Sequence, residues 1–206
     1  MPKDIKDLVR EGYNKAAKDY LTSRSVDLPE YKILLEFMCK IKQGSRVLDA
    51  GCGSGIPVTK YLSEQFDTIG VDISEEQIKL ATENVPKATF ICQDMTKLDF
   101  PNDYFGAIVS YYAIFHIPRE EHQDLLENFY RMLQSKGIVF LVFSMGDEPS
   151  FYNDDFFGAQ MFWNSYSNER YLEMLEQIGF EILWKDNIDD SLSEGSFHMF
   201  VLAQKK

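Results

Sequence analysis

Val47-Leu-Asp-Ala-Gly-Cys-Gly-Ser-Gly55 joins a short apolar run to three glycines spaced two residues apart. The apolar half, opening at Arg46, has the character of a buried strand that ends at Asp49. The glycine half lets the backbone turn sharply and lets a ligand approach without meeting a Cβ. A helix is expected from about Pro57, and its free N–H groups would then face the turn. Twenty-one residues beyond Gly51 stands Asp72, at the end of the next apolar run, Thr68–Asp72. An acid at that place can accept hydrogen bonds from both ribose hydroxyls of an adenosine. A dinucleotide fingerprint would need glycine at position 56, where this chain has Ile56. Asp49, two residues before the first glycine, would oppose a pyrophosphate and suits a cofactor carrying an ammonium or sulfonium.

Working outward, short apolar strands alternate with helical stretches. Strands are predicted at 46–49, 68–72, 88–91, 107–110 and 138–143. Ser74-Glu-Glu-Gln77 has the pattern of a capping box that starts a helix. Pro118 opens another, with Leu125, Leu126, Phe129, Tyr130 and Leu133 as its buried stripe and Gly137 past its end. Alternation of this kind predicts a parallel sheet covered by helices on both faces. Before it, Ile5, Leu8, Val9, Tyr13, Ala16, Ala17 and Tyr20 recur at helical spacing. Pro29 then opens a second helix, with Ile33, Leu34, Phe37, Met38 and Ile41 on one face and Gly44 as its stop. After it, residues 145–167 read as irregular, a helix spans 168–178 up to Gly179, and strands at 180–185 and 197–203 flank a polar linker. Two consecutive strands so joined predict an antiparallel hairpin.

The chain has 206 residues, 45% of them apolar and 26% charged, which fits one globular domain. Its net charge of -12 repels phosphate backbones and anionic lipid, arguing against a nucleic-acid or membrane partner. Cys39, Cys52 and Cys92 form neither a CxxC pair nor a Cys/His cluster, so no metal site and no disulfide framework is expected. The charged start, Met1-Pro-Lys-Asp-Ile-Lys-Asp7, lacks an apolar signal-peptide core, and with the thiols it predicts a reducing cytoplasm.

Asp49-Ala-Gly-Cys-Gly-Ser-Gly55, followed by Gly70-Val-Asp-Ile-Ser74, resembles the class I S-adenosylmethionine-dependent methyltransferases. More narrowly it is similar to their small-molecule branch that includes the ubiquinone/menaquinone-type enzymes. The resemblance is close over about residues 40–144 and extends to Cys92-Gln-Asp-Met95, Phe100-Pro-Asn-Asp-Tyr-Phe105 and Arg131-Met-Leu-Gln-Ser-Lys-Gly137. The last of these departs from the usual Leu-Lys-Pro-Gly-Gly in a turn remote from the cofactor. The fold implied is α/β and Rossmann-like: a doubly wound, mostly parallel sheet with a C-terminal antiparallel hairpin, in one domain spanning 1–206. Residues 1–43 would form a helical lid region, with Tyr20 over the cofactor, and 145–167 an aromatic substrate-side insertion.

The resemblance also implies roles. Gly51, Cys52 and Gly53 would present backbone to the methionine part of S-adenosylmethionine, and Asp49 would help hold its ammonium. Asp72 would bind the ribose and Ile73 would pack on the adenine. Asp94 would accept from the adenine amino group, with Met95 beside the ring. Ser110 and Tyr111 would face the methionine end.

Methyl transfer is an in-line displacement governed by proximity and orientation, and a base is needed only if the nucleophile is bound with its proton. His116, on the ligand-binding edge, and Tyr111 are the catalytic candidates; a structural histidine is the alternative reading of His116. His122 reads as an exposed helix residue and His198 as structural. Seven aromatics fall within Phe151–Tyr166. With Tyr112 and Phe115, the side chains of Tyr152, Phe157 and Trp163 are expected to wall a substrate pocket, unless they form a local mini-core. Ser110-Tyr-Tyr-Ala113 stands where nucleobase-amine enzymes of the family carry Asn-Pro-Pro-Tyr, and no Pro-Cys nucleophile is present. A small-molecule acceptor at O, N, S or C is therefore expected. A non-catalytic cofactor-binding module and a protein methyltransferase are the alternatives, and the oligomeric state is left open.

Overall fold

A computed structural model describes residues 4–23, 31–189 and 197–206. Helix α1 (Ile5–Ser23) and helix α2 (Tyr31–Met38) precede the sheet. Then follow β1 (Arg46–Ala50), α3 (Val58–Ser63), β2 (Asp67–Asp72), α4 (Glu75–Asn84), β3 (Thr89–Cys92) and β4 (Phe105–Ser110). The C-terminal half holds α5 (His122–Met132), β5 (Leu133–Ser144), β6 (Phe151–Phe156), β7 (Ala159–Trp163), α6 (Asn168–Ile178), β8 (Phe180–Asp189) and β9 (Phe197–Lys205).

Seven strands form one sheet in the order β3-β2-β1-β4-β5-β9-β8. The first five run parallel, and β9 is antiparallel to both β5 and β8, as the alternation predicted. Strand order reverses between β1 and β4, and the crevice beyond their carboxyl ends is where such a sheet binds ligands. The two-residue period of the strands divides the core. Leu48, Ile108, Val139, Leu141 and Val201 point to one face, against Leu126 and Phe129 of α5 and Tyr171 and Leu175 of α6. Val47, Val109, Phe140 and Leu202 point to the other, against Leu34 and Phe37 of α2 and Leu62 of α3.

Several expectations need correction. Residues 145–167 are not irregular: β6 and β7 pair as a separate antiparallel hairpin, turned by Phe157 and Gly158, both at positive φ. The helix expected after Pro118 opens as a 3-10 turn at Arg119–Glu121 and ends at Met132. Leu133 and Gly137 belong to β5, whose backbone already pairs with Phe105 at Leu133. Helix α2 stops at Met38, six residues before Gly44. Pro29 and most of the linker before β9 lie outside the described residues. Ser74 caps α4 by accepting from the Gln77 amide, and Gly179 ends α6 at φ +115°, both as the sequence implied. Among the described residues no helix is long and apolar enough to cross a membrane, and no His/Cys/Asp/Glu group could hold a metal ion.

Candidate functional site

The turn after β1 is built as its glycines require. Gly51 (φ +84°) and Cys52 donate their amides to the Val71 carbonyl at 2.8 and 2.9 Å, tying the turn to β2. A Cβ at Gly51 would lie 2.2 Å from the Ala113 Cβ. The turn is thus pressed against the segment that follows β4, and only glycine fits.

Three carboxylates stand around this turn. Asp49, 1% exposed, accepts from the Thr59 hydroxyl at 2.6 Å through Oδ2, while Oδ1 is buried with no partner among the described residues. Burial pushes its pKa up to about 7; the Thr59 bond opposes the rise and the Asp72 charge adds to it. Asp72 accepts from the Gly53 amide and the Ser74 amide, each at 2.9 Å, and burial raises it to about 6 against those two bonds. Asp94 accepts from the Lys6 ammonium at 2.8 Å and from the Thr96 amide at 2.9 Å. Burial works to raise its pKa, but these donors win and hold it below the ordinary carboxylate range. An unpartnered buried oxygen on Asp49, a glycine cradle and two raised carboxylates fit a cationic adenosine cofactor, because a nearby positive charge favours their ionised forms.

Helix α1 roofs the cavity. Lys6, Val9, Tyr13 and Tyr20 line it from above. Lys6 also reaches Glu121 at 2.6 Å, and Asn14 accepts from the Ser74 hydroxyl at 2.6 Å. Below lie Asp49, Gly51, Cys52, Gly53, Asp72 and Ile73, with Asp94, Met95, Tyr111, Tyr112 and His116 at the side. These sequence-predicted residues are therefore brought together. Cys52 is a neutral thiol, its pKa raised first by burial and then by Asp72 and Asp49.

Five predicted residues do not line this cavity. Ser110 turns inward and donates to the Ala50 carbonyl at 2.9 Å. Phe115 is buried against Tyr112 and His198. Tyr152 packs on Phe162, and Phe157 packs on Tyr20 from behind. Trp163 lies against the His116 ring, with centroids 5.2 Å apart. The aromatic hairpin is thus a backing layer for the α1 roof. Gly12 permits that contact: a Cβ there would sit 2.8 Å from the Gln160 carbonyl.

Sequence reasoning placed Tyr13 on the first helix but missed its contact with His116. Its hydroxyl lies 2.8 Å from His116 Nε2, while His116 Nδ1 lies 2.7 Å from the Phe162 carbonyl. A carbonyl only accepts, so Nδ1 carries the hydrogen, and in the neutral ring Nε2 then accepts from the tyrosine. The pair joins residues 103 positions apart, and only the placement of Tyr13 on the roof face of α1 hints at it. His122, expected to be exposed, is fully buried. It bonds the Tyr171 hydroxyl and the Ile117 carbonyl, each at 2.9 Å, and burial lowers its pKa to about 4.

Residues 47–137 match the family model described as "Methyltransferase domain". The stretch that holds the glycine turn and Asp72 is thus similar to methyltransferase domains, and the whole chain has their Rossmann-like fold. It is 30% identical over 161 residues to phosphoethanolamine N-methyltransferase 3 of Arabidopsis thaliana, covering 74% of this chain and 32% of that one. It is 26% identical over 180 residues to phosphoethanolamine N-methyltransferase of Plasmodium falciparum, covering 84% and 66%. The chain thus spans about a third of the plant relative and 66% of the Plasmodium one. The fold is shared with 1,6-didemethyltoxoflavin-N1-methyltransferase of Burkholderia thailandensis, crystallised with S-adenosylhomocysteine. The TM-score is 0.74 at 20% identity, over 96% of this chain and 87% of that one.

Proposed function

We propose that this methyltransferase acts on a small-molecule acceptor that is bound with a proton on its accepting atom. The observation that carries the reading is the Tyr13–His116 pair at the cavity wall, locked by the Phe162 carbonyl. S-adenosylmethionine, when bound, supplies the electrophilic methyl group. The chain's own residues do the rest. Asp72 and the Gly51–Gly53 turn would hold the adenosine side, and ionised Asp49 would face the positive end. Tyr13 would take the acceptor's proton as its own moves to His116 Nε2, leaving the nucleophile's lone pair free for the in-line attack.

The roof formed by α1 encloses the cavity, which favours a small acceptor over a protein substrate. Its charged lining among the described residues is three carboxylates and Lys6, and Lys6 is committed to Asp94 and Glu121. With Tyr13, Tyr20, Tyr111 and Tyr112 around it, this lining suits a neutral or cationic acceptor such as an amine. The motif likeness to the ubiquinone/menaquinone-type branch agrees with a small acceptor. The acidic chain and its free cysteines suit the cytoplasm.

Calorimetry with S-adenosylhomocysteine is expected to show micromolar binding. Turnover of S-adenosylmethionine against a panel of amines and hydroxylated metabolites, phosphoethanolamine and ethanolamine included, is expected to identify an acceptor. Tyr13→Phe and His116→Ala should each lower kcat by about 10²–10⁴-fold with S-adenosylhomocysteine binding kept within about twofold. Absence of binding would sink the cofactor assignment, and undiminished turnover in both variants would sink the proton-accepting pair.

A further inference from the structure

We infer that Asn164 is a positioning residue: it holds the chain on both sides of His116 and so aims Nε2 at Tyr13. The inference rests on the reading of Tyr13 and His116 as the proton-accepting pair.

His116 sits in a short 3-10 turn, Ile114–His116, just beyond β4. Such a turn has few internal bonds to fix its orientation. The support comes from the chain leaving β7. The Asn164 amide donates to the Phe115 carbonyl at 2.9 Å, and its side-chain Nδ2 donates to the Ile117 carbonyl at 2.6 Å. Between these two anchors the His116 ring donates to the Phe162 carbonyl. Residues 115, 116 and 117 are thereby each tied to residues 162–164. The Ile117 carbonyl also accepts from His122, which links the same point to α5 and, through Tyr171, to α6.

Asn164 is a costly residue for mere packing. It is 1% exposed, and its Oδ1 is buried with no partner among the described residues. A buried unpaired acceptor is destabilising, and an apolar side chain of similar size would avoid it. What the apolar side chain cannot supply is the donor to Ile117. Without that donor, the Ile117 carbonyl keeps only its His122 bond, and the turn loses one of its three ties to residues 162–164. A misplacement of about 1 Å at a reacting group is worth about 100-fold in rate. The aromatic insertion therefore serves the chemistry by aiming a histidine.

The chain has three histidines, so protein labelled with 15N-histidine gives resolvable ring signals. Long-range 15N–1H correlation spectra of the cofactor-free protein near neutral pH should show His116 as a single Nδ1–H tautomer. Asn164→Ala, and Asn164→Leu as the donor-free variant of similar volume, should convert it to a mixture of both tautomers. His122 should remain neutral and bonded to Tyr171 in each, which reports an intact fold. A folded Asn164 variant whose His116 keeps its single tautomer would overturn the positioning role. Undiminished methyl transfer by His116→Ala would instead overturn the pair on which that role depends. The spectra need no acceptor, so the two failures are distinguishable.

Discussion

Asp49→Asn exchanges a buried charge for a neutral group of the same shape, and its effect on stability should change sign with pH. In the folded chain burial lifts the Asp49 carboxyl from 3.8 to about 7. Between those values the folded state keeps a proton that the unfolded chain has lost. Unfolding then releases it, so stability falls as pH rises through that window. Above about pH 7 the folded carboxyl is ionised and the whole cost is present. A shift of about three units corresponds to roughly 4 kcal/mol. Asparagine removes that cost, but its amide donor occupies the place of the unpartnered Oδ1, at about 1–3 kcal/mol. The difference is a gain of roughly 1–3 kcal/mol at pH 8. At pH 4.5 the folded carboxyl is neutral and only about 1 kcal/mol of the cost remains, because the unfolded value of 3.8 lies just below, so asparagine gives a net loss of up to about 2 kcal/mol. For a chain of this size each kcal/mol moves Tm by about 2–4 °C. Thermal melts of ligand-free protein, followed by circular dichroism at both pH values, should show the variant more stable at pH 8 and less stable at pH 4.5. Equal shifts at the two pH values would refute the burial of a charge at Asp49. The same substitution should weaken S-adenosylmethionine binding at pH 8, because stability and binding make opposite demands on this group.

Gly51→Ala forces a Cβ to 2.2 Å from Ala113 in a left-handed conformation. Strain and overpacking together should lower stability by about 2–5 kcal/mol, read from the urea midpoint, and an unchanged midpoint would show that the turn can yield. Lys6→Met removes bonds to Asp94, Thr96 and Glu121 at one stroke. Backbone amides of α1 should then exchange faster by mass spectrometry; unaltered exchange would mean that apolar contacts such as Val9 with Met161 hold the roof unaided.

The glycine turn and Asp72 were legible in the sequence because their determinants are local. Strand, glycine turn and acid lie within 26 residues, from Val47 to Asp72, and each is a backbone requirement that restricts residue type. The β6–β7 hairpin was illegible because aromatics on both faces hide the two-residue alternation. Its turn, Phe157-Gly158, carries a bulky residue at positive φ, where asparagine would have announced it. His122 left a signal that was not used: it stands three and four residues before Leu125 and Leu126 and seven before Phe129, on the buried stripe of α5. Polarity suggested solvent, whereas the Tyr171 and Ile117 bonds satisfy both ring nitrogens inside. Tyr13 and Asn164 acquire their meaning from contacts across 103 and 47 residues, which no local pattern encodes.

The two halves of the proposed proton-accepting pair sit on different parts of the molecule. Tyr13 belongs to the α1 roof and His116 to the sheet edge beneath it. Any lifting of α1 wide enough to admit a nucleoside pulls the hydroxyl away from the imidazole. A base made of these two residues, as proposed above, would come apart when the chamber opens and re-form when it shuts. One 2.8 Å bond would then interlock entry and reactivity, so that a sulfonium and an armed base would meet only behind a closed door.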